Sequence, residues 1–406
     1  MTSRAATRGM MYAPERDDTN VRMVARRTLV FGALAVAIAI LVAVLALLAD
    51  PARSHPDDFL VFWAGGHILG AGGNPYDGAA LLAVERTANW TGVAAYRMRN
   101  PPWILPMLLP FGFLSYRTGR VAWFLLHLVM IAGASDLWWH LSNGSSRRRG
   151  LAWLLPFALA PTMIVWRTGQ VTPFALFGLA AFAAAERRGR DFTAGAALAL
   201  VATKPHVVYL LWPALALWVV ARRRWRVAAG FGLALGALTG IAVAIRPAIL
   251  DDFLASLPTD PPHDPTSTIG TVLRLASHRL LGEDYFVLIA VGPIVGITWL
   301  AHRWYRHRAE WRWVDELPLL ALVSLALAPF AWVYDEVLAV LALVQVVALA
   351  GRTGRPLPRA ALAGLVVFDV TVLAMNLGRV DPFWYVWTPF ALLGLHANAR
   401  RRLAGC

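Results

Sequence analysis

Asp58 sits just past the first long apolar stretch of the chain, with a second acid, Asp57, before it and the run Phe59-Leu60-Val61-Phe62-Trp63-Ala64 after it. A Gly-rich turn, Gly72-Gly73-Asn74-Pro75-Tyr76-Asp77, follows. A carboxylate at the lip of a membrane helix is costly to desolvate, so its presence there points to function. Its natural chemistry is that of a general base, which accepts the proton of a weak hydroxyl nucleophile as that oxygen attacks. Further along, polar residues interrupt apolar sequence at Gly169-Gln170, Lys204-Pro205-His206 and Tyr334-Asp335-Glu336. Cations such as Lys204, His206 and Arg99 are suited to hold a phosphate and to stabilise the charge that develops on it as it departs. Base, cations and aromatic, Leu-rich surroundings together suit glycosyl transfer from a lipid phosphate to a hydroxyl.

Each residue also has an ordinary role. Asp57 and Asp58 suit a solvated interface, and Lys204 can snorkel to the headgroups. His206 can be a hydrogen-bonded structural histidine, and Gln170 can cap a tight turn. Tyr334 is a common interface aromatic. Asp335 and Glu336 at a helix start are favoured by the helix dipole. Convergence on one membrane face is what would separate chemistry from these roles.

The elements that must carry them follow from composition. The 406 residues are 58% hydrophobic and 15% charged, with mean hydropathy +0.55, which describes a polytopic all-α membrane protein rather than a soluble domain. Apolar segments are predicted at 28–49, 117–141, 151–166, 171–186, 192–203, 206–220, 226–246, 285–302, 314–330, 334–350, 360–377 and 382–397, about twelve transmembrane helices. The proline-broken segment 101–115 is expected to be re-entrant, because irregular backbone inside a bilayer needs protein or a wet cavity over it. Segments 59–71 and 78–88 are expected to lie along the membrane surface.

The net charge of +14 is carried almost wholly by arginines clustered between apolar runs. Arg26-Arg27, Arg147 to Arg149, Arg187, Arg188 and Arg190, and Arg222 to Arg224 fall at every second loop, and the pattern continues through Arg303, Arg352 and Arg400 to Arg402. That pattern faces anionic lipid on the cytoplasmic side and does not suggest nucleic acid. Both termini are therefore expected in the cytoplasm and the polar breaks at the outer edge. The expected organisation is a cytoplasmic tail at 1–27, a single transmembrane domain at 28–397 with outer loops at about 50–116 and 247–284, and a cytoplasmic tail at 398–406. The single cysteine, Cys406, excludes an intramolecular disulfide and a thiolate metal site.

Asp58-Phe59, Gly73-Asn74-Pro75-Tyr76-Asp77, Asn100-Pro101-Pro102, Gly169-Gln170 and Lys204-Pro205, in that order, resemble successive signatures of glycosyltransferase family 87. That family consists of polytopic GT-C enzymes, mostly mannosyltransferases that use polyprenyl-phosphate mannose. The resemblance implies a GT-C-like bundle, with Asp58 as the catalytic aspartate in the first outer loop. It implies inverting transfer of a hexose, mannose above all, to a lipid or glycolipid acceptor at the outer leaflet of a bacterial plasma membrane. Donor-phosphate binding is expected of Lys204, His206 and Arg99. Substrate binding is expected of Asp57, Tyr76, Asp77, Gln170, Arg274, Tyr334 and Asp335. Two departures stand out. Tyr334-Asp335 replaces a histidine pair, and the motif Ser267-Thr268-Ile269-Gly270 to Arg274 lacks its usual Asn. No cofactor is expected. GT-C relatives hold a divalent cation on acidic pairs, and Asp57-Asp58 is the pair that would do so here, but the loosely grouped oxygen ligands favour no metal. A lipid-linked-sugar transporter or flippase is the alternative, and an envelope-assembly scaffold a third; a transporter would place its functional charges near mid-membrane.

Overall fold

The computed structural model describes residues 58–257 and 266–404. The predicted first helix at 28–49, the tail before it and Asp57 lie outside the described residues. Among the described residues there is no strand, and every predicted apolar segment is wholly or largely helical.

The order begins with α1 (Phe59–Gly70), α2 (Gly78–Thr87), α3 (Leu105–Gly112), which continues a 3₁₀ turn at Pro102–Ile104, and α4 (Tyr116–Leu141). It runs on through α5 (Arg149–Leu154), α6 (Ala160–Thr168), α7 (Thr172–Arg187), α8 (Asp191–Val201), α9 (Leu211–Arg222) and α10 (Trp225–Ile245). The remainder is α11 (Ile249–Ser256), α12 (Ile269–Leu281), α13 (Val291–His307), α14 (Trp313–Leu327), α15 (Val340–Thr353), α16 (Arg359–Leu377) and α17 (Thr388–Ala404).

Five stretches are long and apolar enough to cross a bilayer: α4, α10, Phe286–His307, Val333–Thr353 and α16. A sixth is added if Ser146–Ala158 and Ala160–Thr168, bent by 69° at the break, form one span. The protein is thus an all-α, polytopic integral membrane protein with five or six such helices among its described residues, where the sequence suggested about twelve. The difference is one of length. Helix α8 has 11 residues, α9 has 12, α14 has 15 and α7 has 16, against the ~20 needed to cross. In 151–166, prolines at 156 and 161 break what the apolar run alone reads as one helix. Segment 101–115 folds as the 3₁₀ turn and the 8-residue α3, about 12 Å of α-helix, packed along α1.

That pairing fixes α1. A Cβ on Gly112 would stand 2.3 Å from the Gly66 backbone, and one on Gly66 would stand 2.5 Å from the Leu108 carbonyl oxygen. Only small residues let two helix backbones approach so closely. At the start of the helix Phe59 is fully buried, with ring centroids 5.9 Å from Tyr116 and 5.4 Å from Trp123. These rings belong to an apolar cluster built by α1, α3 and α4 with Phe174 of α7. A larger cluster centred on α4, α7, α9, α14 and α15 forms the rest of the interior.

Candidate active site

Asp58 precedes the first residue of α1, a position where Asp normally caps its own helix. Here its carboxylate makes no such bond. It accepts instead from the Gln170 side chain, while its backbone N–H donates to the Thr168 carbonyl at 2.9 Å. Gly169 makes this contact possible. Its φ of +70° ends α6 in a left-handed turn, and a Cβ there would come 2.9 Å from Cβ of Phe59. Its carbonyl accepts the Trp123 indole N–H at 2.7 Å. Glycine alone adopts this turn without strain, so Gly169 sets Gln170 beside Asp58.

Asp58 opens into a cavity of about 520 Å³ lined also by Arg97, Arg99, Asn100, Gln170, Lys204, His206, Trp332 and Tyr334. The volume is within the range of small-molecule sites, about 300–1,000 Å³. Burial raises the Asp58 carboxyl above the usual carboxylate range, as does Asp335; the Gln170 bond and the Lys204 charge oppose the shift.

Lys204 forms the floor. Its Nζ donates to Oδ1 of Asp335 at 2.6 Å, and both side chains are buried. The Thr172 hydroxyl donates to the same oxygen at 2.6 Å, and the Trp332 backbone N–H donates to Oδ2 at 3.1 Å. Asp335 thus binds Lys204 beneath the cavity and is not among its lining residues. The Lys204 ammonium also lies 4.6 Å from the Tyr334 ring centroid and 5.5 Å from that of Trp332. Those two rings stack at 5.9 Å with an interplanar angle of 16°, and the Gln170 amide approaches the Tyr334 hydroxyl at 3.5 Å.

One wall comes from the extended segment after α2. Ala95, Arg97 and Arg99 line the cavity, while Met98 between them is buried, beside Gly65 of α1. Tyr96 and Asn100 line it as well, so Met98 is the one residue of 95–100 turned away from the cavity. Glu85 of α2 anchors the segment by accepting the Tyr96 backbone N–H at 3.0 Å. Asn100 donates to the Thr203 carbonyl at 3.3 Å, just ahead of Lys204.

The structure therefore brings Asp58, Arg99, Gln170, Lys204, His206 and Tyr334 to one cavity, with Asp335 under it. Others named from sequence stand apart. Asp77 caps α2 by accepting the Ala80 N–H at 2.7 Å. Tyr76 donates to the Asn100 carbonyl at 2.9 Å and packs on Phe253, so it supports a lining residue without reaching the cavity. Arg274 holds Asp284 through bonds of 2.8 and 2.5 Å, lies against the Phe286 ring and lines a different cavity. Sequence reasoning assigned no role to Arg97, Trp332 and Thr172. Arg97 was detectable only as a second arginine close to Arg99, and Trp332 only as an aromatic close to Tyr334. Thr172, inside an apolar helix, gave no signal. Among the described residues no group of three His, Cys, Asp or Glu side chains is placed to hold a metal ion.

The arrangement offers a shielded base, three cations (Lys204, Arg97 and Arg99) against two carboxylates, and an aromatic face. Burial pushes His206 down to about 4, so it is neutral rather than the cation expected from sequence. The family described as Glycosyltransferase family 87 matches over residues 99–329, more than half of the 406 residues. The match contains Arg99, Gln170, Lys204 and His206; Asp58 and Trp332 to Asp335 lie beyond its ends. No curated protein and no solved structure matches the chain.

Proposed function

The chain belongs to glycosyltransferase family 87, and from that premise we propose that it moves a hexose, mannose by family resemblance, from a polyprenyl-phosphate donor to a lipid or glycolipid acceptor. The observation that carries this reading is the opening of the Asp58 carboxylate into a cavity that also holds Lys204, His206, Arg97 and Arg99.

In this reading the acceptor hydroxyl lies against Asp58, whose raised affinity for a proton makes it a stronger base than a solvated carboxylate. The oxygen attacks the anomeric carbon as its proton passes to Asp58. A new C–O bond forms, the bond to the phosphate oxygen breaks on the opposite face, and its electron pair leaves with the phosphate. Configuration at that carbon inverts. Lys204 and Arg99 receive the charge growing on the phosphate, while His206, neutral because burial pushes it down to about 4, offers a ring N–H. Lys204 is held in place by Asp335, so its position needs no rearrangement during reaction. The Trp332–Tyr334 pair offers a flat face to the sugar ring. The arginine pattern supports an outer-leaflet site, both termini in the cytoplasm, and one transmembrane domain over 28–397 of a bacterial plasma membrane. On that side nucleotide sugars are absent and a lipid-linked donor is required.

The test is a donor panel. Wild-type membranes, supplied with a lipid-extract acceptor pool, receive either polyprenyl-phosphate hexoses or the matching nucleotide hexoses. Transfer from the polyprenyl phosphate with inverted configuration is expected. Transfer from the nucleotide sugar alone, in membranes free of endogenous polyprenyl phosphate, overturns the reading.

A further inference from the structure

Behind the Trp332–Tyr334 pair lies a second cavity of about 330 Å³. Trp332 and Tyr334 line both cavities. Thr168, whose carbonyl receives the Asp58 N–H, lines the second one as well. The two spaces therefore share the pair of stacked rings as a wall, and the second reaches the residue that is bonded to the Asp58 backbone.

The second cavity carries two guanidinium groups, Arg167 at the end of α6 and Arg379 in the turn after α16. Both are exposed, and among the described residues neither forms an ion pair with a carboxylate. Arg167 donates to the Asn376 side-chain oxygen at 3.2 Å, and Asn376 in turn bonds the Tyr385 side chain. Asn376 and Tyr385 line the same space, so neutral groups orient Arg167 without cancelling its charge. Arg379 has a φ of +52°, a conformation that few residues bearing a Cβ adopt. The chain accepts that strain where it turns an arginine into this cavity. Of the buried acids beside this cavity, Glu336 faces Tyr385 and is engaged by the Thr388 hydroxyl, and Asp335 is taken up by Lys204, Thr172 and the Trp332 N–H. Two guanidiniums without a carboxylate partner among the described residues, beside amide and phenol groups, suit a phosphate ester, which Arg binds through paired N–H donors.

Resting on the reading of Asp58 as base, we propose that this second cavity is the anion subsite of the acceptor. Arg167 and Arg379 hold a phosphodiester of the acceptor's headgroup while its sugar hydroxyl reaches Asp58 past the aromatic pair. The donor phosphate, on the Lys204 side, is handled by separate residues. Phosphate chemistry has two sources, a lipid headgroup and a soluble anion, and the test separates them.

The probes are dioctanoylphosphatidylglycerol and inorganic phosphate, each titrated onto detergent-purified full-length protein, wild type against Arg167→Gln and Arg379→Gln. The lipid is expected to bind wild type and to compete with the lipid-extract acceptor but not with the polyprenyl-phosphate donor. Each substitution weakens that binding by about tenfold or more, the scale of one charge-assisted hydrogen bond, and Arg167→Lys recovers part of it. Donor KM stays within about twofold on the same scale. Binding of inorganic phosphate with no preference for the lipid keeps the anion site and overturns its assignment to the acceptor. Lipid binding insensitive to both substitutions, or competition with the donor, overturns the subsite. If Asp58→Asn transfers at the wild-type rate, the reading of the main cavity fails instead. If Asp58→Asn is dead and the arginine variants behave as wild type, the subsite alone fails.

Discussion

Removing the ammonium of Lys204 should harm this protein more than removing the whole ion pair. Asp335 is fully buried and Lys204 nearly so, with Nζ 2.6 Å from Oδ1. In Lys204→Met the carboxylate keeps only the Thr172 hydroxyl and the Trp332 amide. Two neutral donors to a carboxylate contribute about 1.5–3 kcal/mol each, but both are already present in the wild type and do not replace the lost countercharge. Breaking a buried pair from one side costs about 3–5 kcal/mol, whereas replacing both partners by apolar groups is near neutral or stabilising. The expected penalty for Lys204→Met, and for Asp335→Asn, is therefore about 3–5 kcal/mol. At about 2.1 cal/mol/K of unfolding entropy per residue over the described chain, that lowers Tm by roughly 4–7 °C. The double variant Lys204→Met with Asp335→Leu should recover most of the loss. It should still fail to turn over, because the cavity then lacks its floor cation. Tryptophan fluorescence during heating in detergent measures the stability side, and a membrane transfer assay the activity side. Single-variant shifts below about 1 °C, or a double variant whose loss is the sum of the singles, would refute a net-buried pair of this geometry.

Three further outcomes follow from the same geometry. Burial raises the Asp58 carboxyl, so the acid limb of the rate profile should lie above the usual carboxylate range: activity falls as pH drops through that raised value, and a limb near pH 4 would contradict it. Burial pushes the Glu85 carboxyl from 4.5 up to about 7, against the pull of the Tyr96 N–H. Its protonated form is the one favoured in the fold, so its contribution to stability is complete below about 4.5 and is lost as pH rises through about 7. Hydrogen exchange in 88–100 should rise over that window in wild type and stay flat in Glu85→Gln; identical profiles would remove Glu85 as the anchor. Gly169→Ala forces a Cβ into a turn of φ +70° and to 2.9 Å from the Phe59 side chain. The left-handed backbone alone costs about 1–2 kcal/mol, and transfer should fall with it as Gln170 leaves Asp58; an unchanged rate and Tm would show that the turn does not position the site.

The helices and the polar breaks were legible because each leaves a local mark. A long apolar stretch such as 117–141 closes its own backbone hydrogen bonds wherever it sits, and the observed helix is Tyr116–Leu141. Asp58, Gln170, Lys204, His206 and Tyr334 were visible as polar residues in apolar sequence, and they share one cavity. Where the reading departed from the structure, the deciding contact was non-local or the helix was too short. Arg274 looked like a substrate residue until Asp284, ten positions on, is seen to engage its guanidinium. Asp77 serves the first turn of its own helix, a role its spacing shares with many functional acids. Fewer described helices than predicted spans reach crossing length because hydropathy registers apolar content, while Pro156, Pro161 and short loops decide how long a helix runs. Asp335 was named as a site residue, and only the fold reveals that it acts through Lys204 from below the cavity.

The central claim is that Asp58 takes the acceptor's proton. Asp58→Asn keeps the side chain's size and its place beside Gln170, removes the base, and separates binding from chemistry. Measured on purified protein with a polyprenyl-phosphate hexose and a lipid acceptor, donor binding should stay within a few-fold of wild type while kcat falls by about 10²–10⁴, the range of general-base catalysis. Wild-type kcat in Asp58→Asn would contradict the account.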